Sequence, residues 1–60
     1  MILTFNPINC SWEVSDIVGS VRVSKTYYGY TKDEVIEDFR AFIRYTEDPS
    51  YEPEDITVNR

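Results

Sequence analysis

Apolar and polar residues alternate on both sides of Gly19 and Ser20, which is the pattern of strands that bury one face. The apolar positions of one parity are Trp12, Val14, Val18, Val21, Val23 and Tyr27. A Gly-Ser pair suits a two-residue type II′ turn between antiparallel strands. The alternation therefore predicts a hairpin in which Val18 lies opposite Val21 and the six apolar side chains share one face.

The other parity of this hairpin is mostly polar and is predicted to form the open face of the sheet. Its members are Ser11, Glu13, Ser15, Ile17, Arg22, Ser24, Thr26 and Tyr28. Two charged residues, Asp16 and Lys25, fall on the apolar parity instead. Either they pair with each other at the margin of the sheet, or the loop is longer and the register differs.

A further strand is expected over residues 2–5, a short β-prone run that Asn6 and Pro7 stop. From Lys32 onward the apolar period becomes that of a helix. The apolar stripe of this helix consists of Val35, Ile36, Phe39, Phe42 and Ile43.

The sequence predicts where this helix begins and where it ends. Thr31 and Glu34 have the spacing of a capping box, and Tyr30 stands where a hydrophobic staple to Val35 is expected. The Asp-Pro pair at residues 48–49 ends the helix, because the residue before proline is displaced from helical geometry.

These elements predict an α+β fold, βββα, with one helix on the apolar side of a three-stranded antiparallel sheet. Residues 1–48 form the single predicted domain, and residues 49–60 form an acidic, extended tail. Residues 50–55 contain one proline and three acids, which is typical of a solvated segment. Residues 56–58 could add a short edge strand or dock elsewhere.

Negative charge is concentrated in the tail of this 60-residue chain, whose net charge is -5. Residues 1–45 hold six acids and five bases, giving -1, whereas residues 46–60 hold five acids and one base, giving -4. Phosphate backbones are bound by clustered Lys and Arg, and the sequence has no such cluster. Direct nucleic-acid binding is therefore not expected, whereas an acidic tail suits a basic protein surface.

Residue types that carry catalysis or bind metal are scarce. The chain has no His and one Cys, so the commonest catalytic base, an internal disulfide and a Cys/His zinc set are missing. Cys10 is interpreted as a small apolar residue. The acids of the tail do not have the spacing of an EF-hand calcium loop. We therefore expect no enzymatic activity, no metal and no cofactor.

No apolar run approaches the roughly 20 residues that cross a bilayer, and no signal-peptide pattern opens the chain. A cytoplasmic protein without membrane association is predicted. A chain of this length buries only about 60% of its unfolded surface. Aromatic packing or self-association is expected to supplement its core.

Aromatic residues are densest at residues 27–30. Tyr27 is assigned to the core, Tyr30 to the staple, and Gly29 to the bend from sheet to helix. Tyr28, on the open face, has no structural role in this scheme and is the first candidate for a partner contact.

The middle of the chain, about residues 11–45, resembles the three-strand-plus-helix DNA-binding domains of the AP2 type and of the arm domains of tyrosine recombinases. The resemblance rests on Trp12-x-Val14, Val21-x-Val23, the run Tyr28-Gly29-Tyr30-Thr31-x-x-Glu34, and the apolar-striped helix. It implies the same scaffold. Those families read DNA with arginine-rich outer sheet faces, whereas this open face carries Arg22 alone, so the DNA-reading residues are missing.

The leading hypothesis is a small, non-enzymatic protein-binding module of phage or mobile-element type that modulates or inhibits a larger host protein with a basic surface. Its expected contact residues are Tyr28, Ile17, Arg22, Glu52, Glu54 and Asp55. A second hypothesis is a homodimer formed through an exposed sheet edge or the helix. A third is nucleic-acid binding by the AP2-like scaffold, or an acidic mimic of nucleic acid.

Overall fold

The computed structural model describes residues 1–60 and contains four strands and one helix. The strands are β1 (Ile2–Asn6), β2 (Ser11–Val18), β3 (Val21–Tyr28) and β4 (Thr57–Asn59), and the helix is α1 (Lys32–Thr46). They form one sheet in the order β3-β2-β1-β4, antiparallel except for β4, which runs parallel to β1. The predicted α+β fold is confirmed, and the tail adds an edge strand.

The β2–β3 hairpin has the predicted register, with Val18 opposite Val21. The predicted type II′ turn is wrong, because Gly19 and Ser20 both have positive φ, 54° and 70°, which is the type I′ geometry. Types I′ and II′ both match the right-handed twist of the flanking strands, and type I′ here places Ser20 in the left-handed region. Cys10, between β1 and β2, also has positive φ, 53°, and is exposed rather than packed.

The two charged residues of the apolar parity have separate partners. Asp16 Oδ2 lies 3.3 Å from the N-terminal amine and accepts a hydrogen bond from the Tyr51 hydroxyl. Lys25 Nζ lies 3.8 Å from Asp38 Oδ2 and 4.6 Å from the centre of the Phe42 ring. Both alternatives are wrong: Asp16 and Lys25 do not pair with each other, because the tail and the helix supply their partners, and the loop is not longer, because Val18 pairs with Val21.

The hydrophobic core lies between the inner face of the sheet and one side of α1. Five of its side chains are fully buried: Leu3, Val14, Val35, Phe39 and Ile43. The expectation of a solvated segment over residues 50–55 is wrong for Tyr51, which is 8% exposed and belongs to this core. A tyrosine ring can enter a core when its hydroxyl keeps a hydrogen bond, here to Asp16.

The helix begins at the predicted capping box. Thr31 Oγ1 accepts a hydrogen bond from the Glu34 N–H at 3.3 Å, and the Thr31 N–H donates to Glu34 Oε1 at 2.9 Å. The helix ends at Thr46, just before the Asp-Pro pair of residues 48–49. It lacks the length and the apolar character of a membrane-spanning helix.

Candidate functional site

A cleft of about 540 Å³ lies between the tip of the β2–β3 hairpin and the tail. Ile17 and Val18 line its hairpin side. Five carboxylates are among its lining residues: Asp16, Asp48, Glu52, Glu54 and Asp55. We call this feature the acidic cleft. It gathers most of the negative charge of the tail at one end of the molecule.

The tail side of the acidic cleft is held in place by buried and hydrogen-bonded groups. The hydroxyl of Tyr51 donates to Asp16, and its carbonyl accepts from Nε of Arg44 at 2.9 Å. The carbonyl of Asp55 accepts from the N-terminal amine at 2.8 Å. The backbone of residues 52–54 therefore runs between two anchored residues.

The carboxylates of the cleft differ in how far they are neutralised. Asp16 faces the N-terminal amine. Glu52 forms ion pairs with Arg44 and, at 3.9 Å, with Arg40. The remaining carboxylates form no ion pair: Asp48, Glu54 and Asp55. The cleft thus keeps negative charge that nothing in the chain compensates.

Hydrogen bonds keep two of these carboxylates ionised. Burial raises the pKa of Asp16, but hydrogen bonds from the Tyr51 hydroxyl and the Ile17 N–H more than offset burial, so this pKa lies below its ordinary value of 3.8. The N–H and the hydroxyl of Ser50 lower the pKa of Asp48. Both groups are therefore charged at neutral pH.

The structure brings most of the predicted contact residues to one end of the sheet. Ile17, which is 70% exposed, lines the acidic cleft with Glu52, Glu54 and Asp55. Arg22 lies opposite Ile17 in the hairpin and lines an adjoining hollow of about 250 Å³. These five residues form one continuous area of surface.

Tyr28 lies at the other end of the open face. It pairs with Ser11, whereas Arg22 pairs with Ile17, six residues further along β2. At about 3.3 Å per residue, Tyr28 and Arg22 are separated by roughly 20 Å. The Tyr28 side chain is 65% exposed. A partner that contacts both Tyr28 and the acidic cleft must extend across the whole open face.

Three residues that build the cleft were missed by sequence reasoning: Asp16, Asp48 and Tyr51. The signal for Asp16 was its position on the apolar parity, because a charged group on a buried face needs a partner. The signal for Tyr51 was a large aromatic residue inside a segment that otherwise looked solvated. Neither observation identifies Asp16 and Tyr51 as partners of each other.

The carboxylates of the cleft spread over a surface rather than converging on a point. No group of three His, Cys, Asp or Glu side chains is placed to hold a metal ion. An extended negative surface with an exposed apolar side chain, Ile17, at its rim can attract the Lys and Arg side chains of another protein.

Two buried tyrosines make the fold sensitive to alkaline pH. Burial, followed by hydrogen bonding to Asp38, raises the pKa of Tyr27, and burial with hydrogen bonding to Asp16 raises that of Tyr51. Their stabilising contribution is complete below the ordinary tyrosine pKa of 10.0 and is lost as pH rises above it. Each tyrosine should lower the free energy of unfolding by up to about 1.4 kcal/mol per pH unit in that range.

Denaturant unfolding at a series of alkaline pH values measures this loss. Tyr27→Phe and Tyr51→Phe should each flatten the alkaline slope, whereas Tyr45→Phe should leave it unchanged, because Tyr45 is 91% exposed. Equal alkaline slopes in all three variants would contradict the conclusion that Tyr27 and Tyr51 cause the alkaline loss of stability.

Comparisons with models of known protein families, with curated proteins and with solved structures find no match for this chain. The acidic cleft and the open face are therefore the features that a proposed function has to explain.

Proposed function

We propose that this chain is a small, non-enzymatic protein-binding module that uses the acidic cleft to bind a basic surface of a larger host protein. One observation carries the proposal: Ile17 is exposed and lines the acidic cleft together with Glu54 and Asp55, two exposed carboxylates that form no ion pair within the chain. An apolar anchor ringed by charges is a common arrangement in protein interfaces.

The anchoring of the tail favours binding at this place. Tyr51 is buried, and the carbonyl of Asp55 is hydrogen bonded, so the acids between them are positioned before a partner arrives. Less conformational entropy is lost when such a surface binds than when a free tail does. The uncompensated carboxylates add electrostatic steering toward a basic partner.

The distance between Tyr28 and the cleft favours a large partner. A ligand that uses both must span roughly 20 Å of the open face, which is the scale of a protein surface rather than of a small molecule. Modulation or inhibition of the partner, and an origin in a phage or mobile element, stay predictions from the sequence.

Affinity capture from a lysate of the source organism, followed by reconstitution with the purified partner, tests the proposal. The cleft variant carries Ile17→Ser, Glu54→Lys and Asp55→Lys, three changes at exposed side chains. We expect the captured partner to dissociate at raised salt, and the cleft variant to bind it at least about tenfold more weakly.

The matched control is Glu47→Lys, which changes an exposed carboxylate outside the cleft lining and leaves the cleft intact. Tyr28→Ala tests the far end of the open face separately. Equal binding of the partner to the cleft variant and to the wild type would refute the acidic cleft as the binding site. Capture of no partner at all would refute the proposal that the chain is a protein-binding module.

A further inference from the structure

Strand β3 is an edge of the sheet with one unpaired side. It is eight residues long and pairs with β2 alone. Its pairing runs residue for residue from Tyr28 to Val21, so it contains no bulge, and its sequence contains no proline. Natural edge strands are usually shortened, bulged, covered or charged, because an open row of N–H and C=O groups invites pairing with another chain; β3 carries the charges of Arg22 and Lys25 but is neither short nor bulged.

The hairpin geometry fixes which residues point their backbone groups outward. In a two-residue hairpin the pair that flanks the turn, here Val18 and Val21, is hydrogen bonded, and every second pair follows. The N–H of Gly29 donates to the carbonyl of Cys10 at 3.4 Å, in phase with this pattern. The backbone groups of the intervening residues therefore face away from β2: Arg22, Ser24, Thr26 and Tyr28.

We propose that a second copy of this chain pairs with this edge, β3 against β3 and antiparallel, around a two-fold axis at Ser24. Such an axis is perpendicular to the sheet, so both helices lie on the same side and the two sheets become one of eight strands. Ser24 then lies opposite Ser24 of the second copy, and Arg22 lies opposite Thr26. Three outward-facing pairs give about six new backbone hydrogen bonds.

Charge disfavours the adjacent register that is centred on Lys25. Moving the axis to Lys25 would place the two lysines directly opposite each other, which is destabilising. With the axis at Ser24, Lys25 lies opposite Val23, and it keeps its own contact with Asp38 at 3.8 Å.

The same register brings together two charges that have no partner within one copy. Glu13 and Arg22 are both exposed and form no ion pair. Glu13 pairs with Thr26 across the hairpin, and the axis at Ser24 places Arg22 of the second copy opposite the same Thr26 on its other side. Glu13 and that Arg22 are therefore two strand spacings apart, or about 10 Å. Arginine and glutamate side chains together span this distance, and the symmetry makes the contact twice.

Edge pairing buries less surface than a standard protein interface, so the dimer should dissociate on dilution. Sedimentation equilibrium over a wide concentration range measures this directly. We expect the mass to fall from twice the 7.1 kDa of one chain to 7.1 kDa as the protein is diluted. A mass of 7.1 kDa at every concentration, up to the millimolar range, would overturn the proposal.

Ser24→Pro tests the edge itself. The Ser24 N–H faces away from β2, so proline at this position leaves the hairpin ladder intact but removes the two hydrogen bonds at the axis. We expect Ser24→Pro to be monomeric at all concentrations and Ser24→Ala to dimerise like the wild type. A folded Ser24→Pro variant that still dimerises would overturn the proposal.

A charge exchange tests the register and does not depend on proline being tolerated. Arg22→Glu and Glu13→Arg should each weaken dimerisation about tenfold, and the double variant should recover most of the loss. Equal weakening in the single and double variants would overturn the register. This inference is independent of the proposed function, because the Ile17, Glu54 and Asp55 variants should leave the dimer unchanged.

Discussion

Replacement of Phe39 by alanine is expected to remove a large part of the free energy of unfolding, about 3–5 kcal/mol. Phe39 is the largest fully buried side chain and lies on the face of α1 that packs on the sheet. Truncation of a buried phenylalanine costs about 3–5 kcal/mol. A chain of 60 residues has a total stability of only about 3–9 kcal/mol, so the loss consumes much or all of it.

Urea unfolding followed by circular dichroism measures the effect of Phe39→Ala. Tyr45→Ala is the matched control, because it removes an aromatic ring from the same helix at a site that is 91% exposed. The control should change stability by less than about 0.5 kcal/mol. A Phe39→Ala protein that keeps wild-type stability would show that the helix does not pack as described.

Replacement of Asp16 by alanine is expected to lower the free energy of unfolding by about 2–3 kcal/mol at neutral pH. Asp16 accepts hydrogen bonds from the Tyr51 hydroxyl and the Ile17 N–H, and it faces the N-terminal amine at 3.3 Å. Its removal leaves the buried Tyr51 hydroxyl without its acceptor and takes the carboxylate away from the N-terminal amine, which keeps only its hydrogen bond to the Asp55 carbonyl. This loss exceeds that of a surface ion pair because the donors are shielded from water.

The pH dependence distinguishes this interaction from simple packing. Because the pKa of Asp16 lies below 3.8 in the folded state, its contribution is present above pH 3.8 and is lost as pH falls through the folded value. Asp16→Ala should therefore weaken the acid dependence of stability. The control is Glu54→Ala, which removes an exposed carboxylate of the same cleft. It should change neither the stability at neutral pH nor its acid dependence. Equal stabilities of these two variants would contradict the role of Asp16.

The parts of the fold that were predictable depend on residues close together in the sequence. The hairpin register follows from alternation around Gly19 and Ser20, and the helix start follows from Thr31 and Glu34. The turn type was wrong because Gly-Ser satisfies the residue preferences of type II′, whereas Ser20 adopts the positive φ of type I′, and the strand twist is compatible with both types.

The site was harder to predict because its contacts join distant parts of the chain. Tyr51 meets Asp16 across 35 residues, and Asp55 meets the N-terminal amine across 54. No local pattern encodes such pairs. The sequence did indicate the exposed residues of the cleft, Ile17, Glu54 and Asp55, because exposure follows from strand parity and composition.

The parallel pairing of β1 with β4 affects how the molecule responds to tension. Ile2 lies beside Thr57 and Thr4 beside Asn59, so the two strands begin together and all of β4 pairs with the first three residues of β1. Opposite pulls on residues 1 and 60 load these hydrogen bonds in shear, all at once, instead of opening them one after another as in a hairpin. A strand of only three residues should therefore resist the separation of residues 1 and 60 more strongly than a hairpin with the same number of hydrogen bonds.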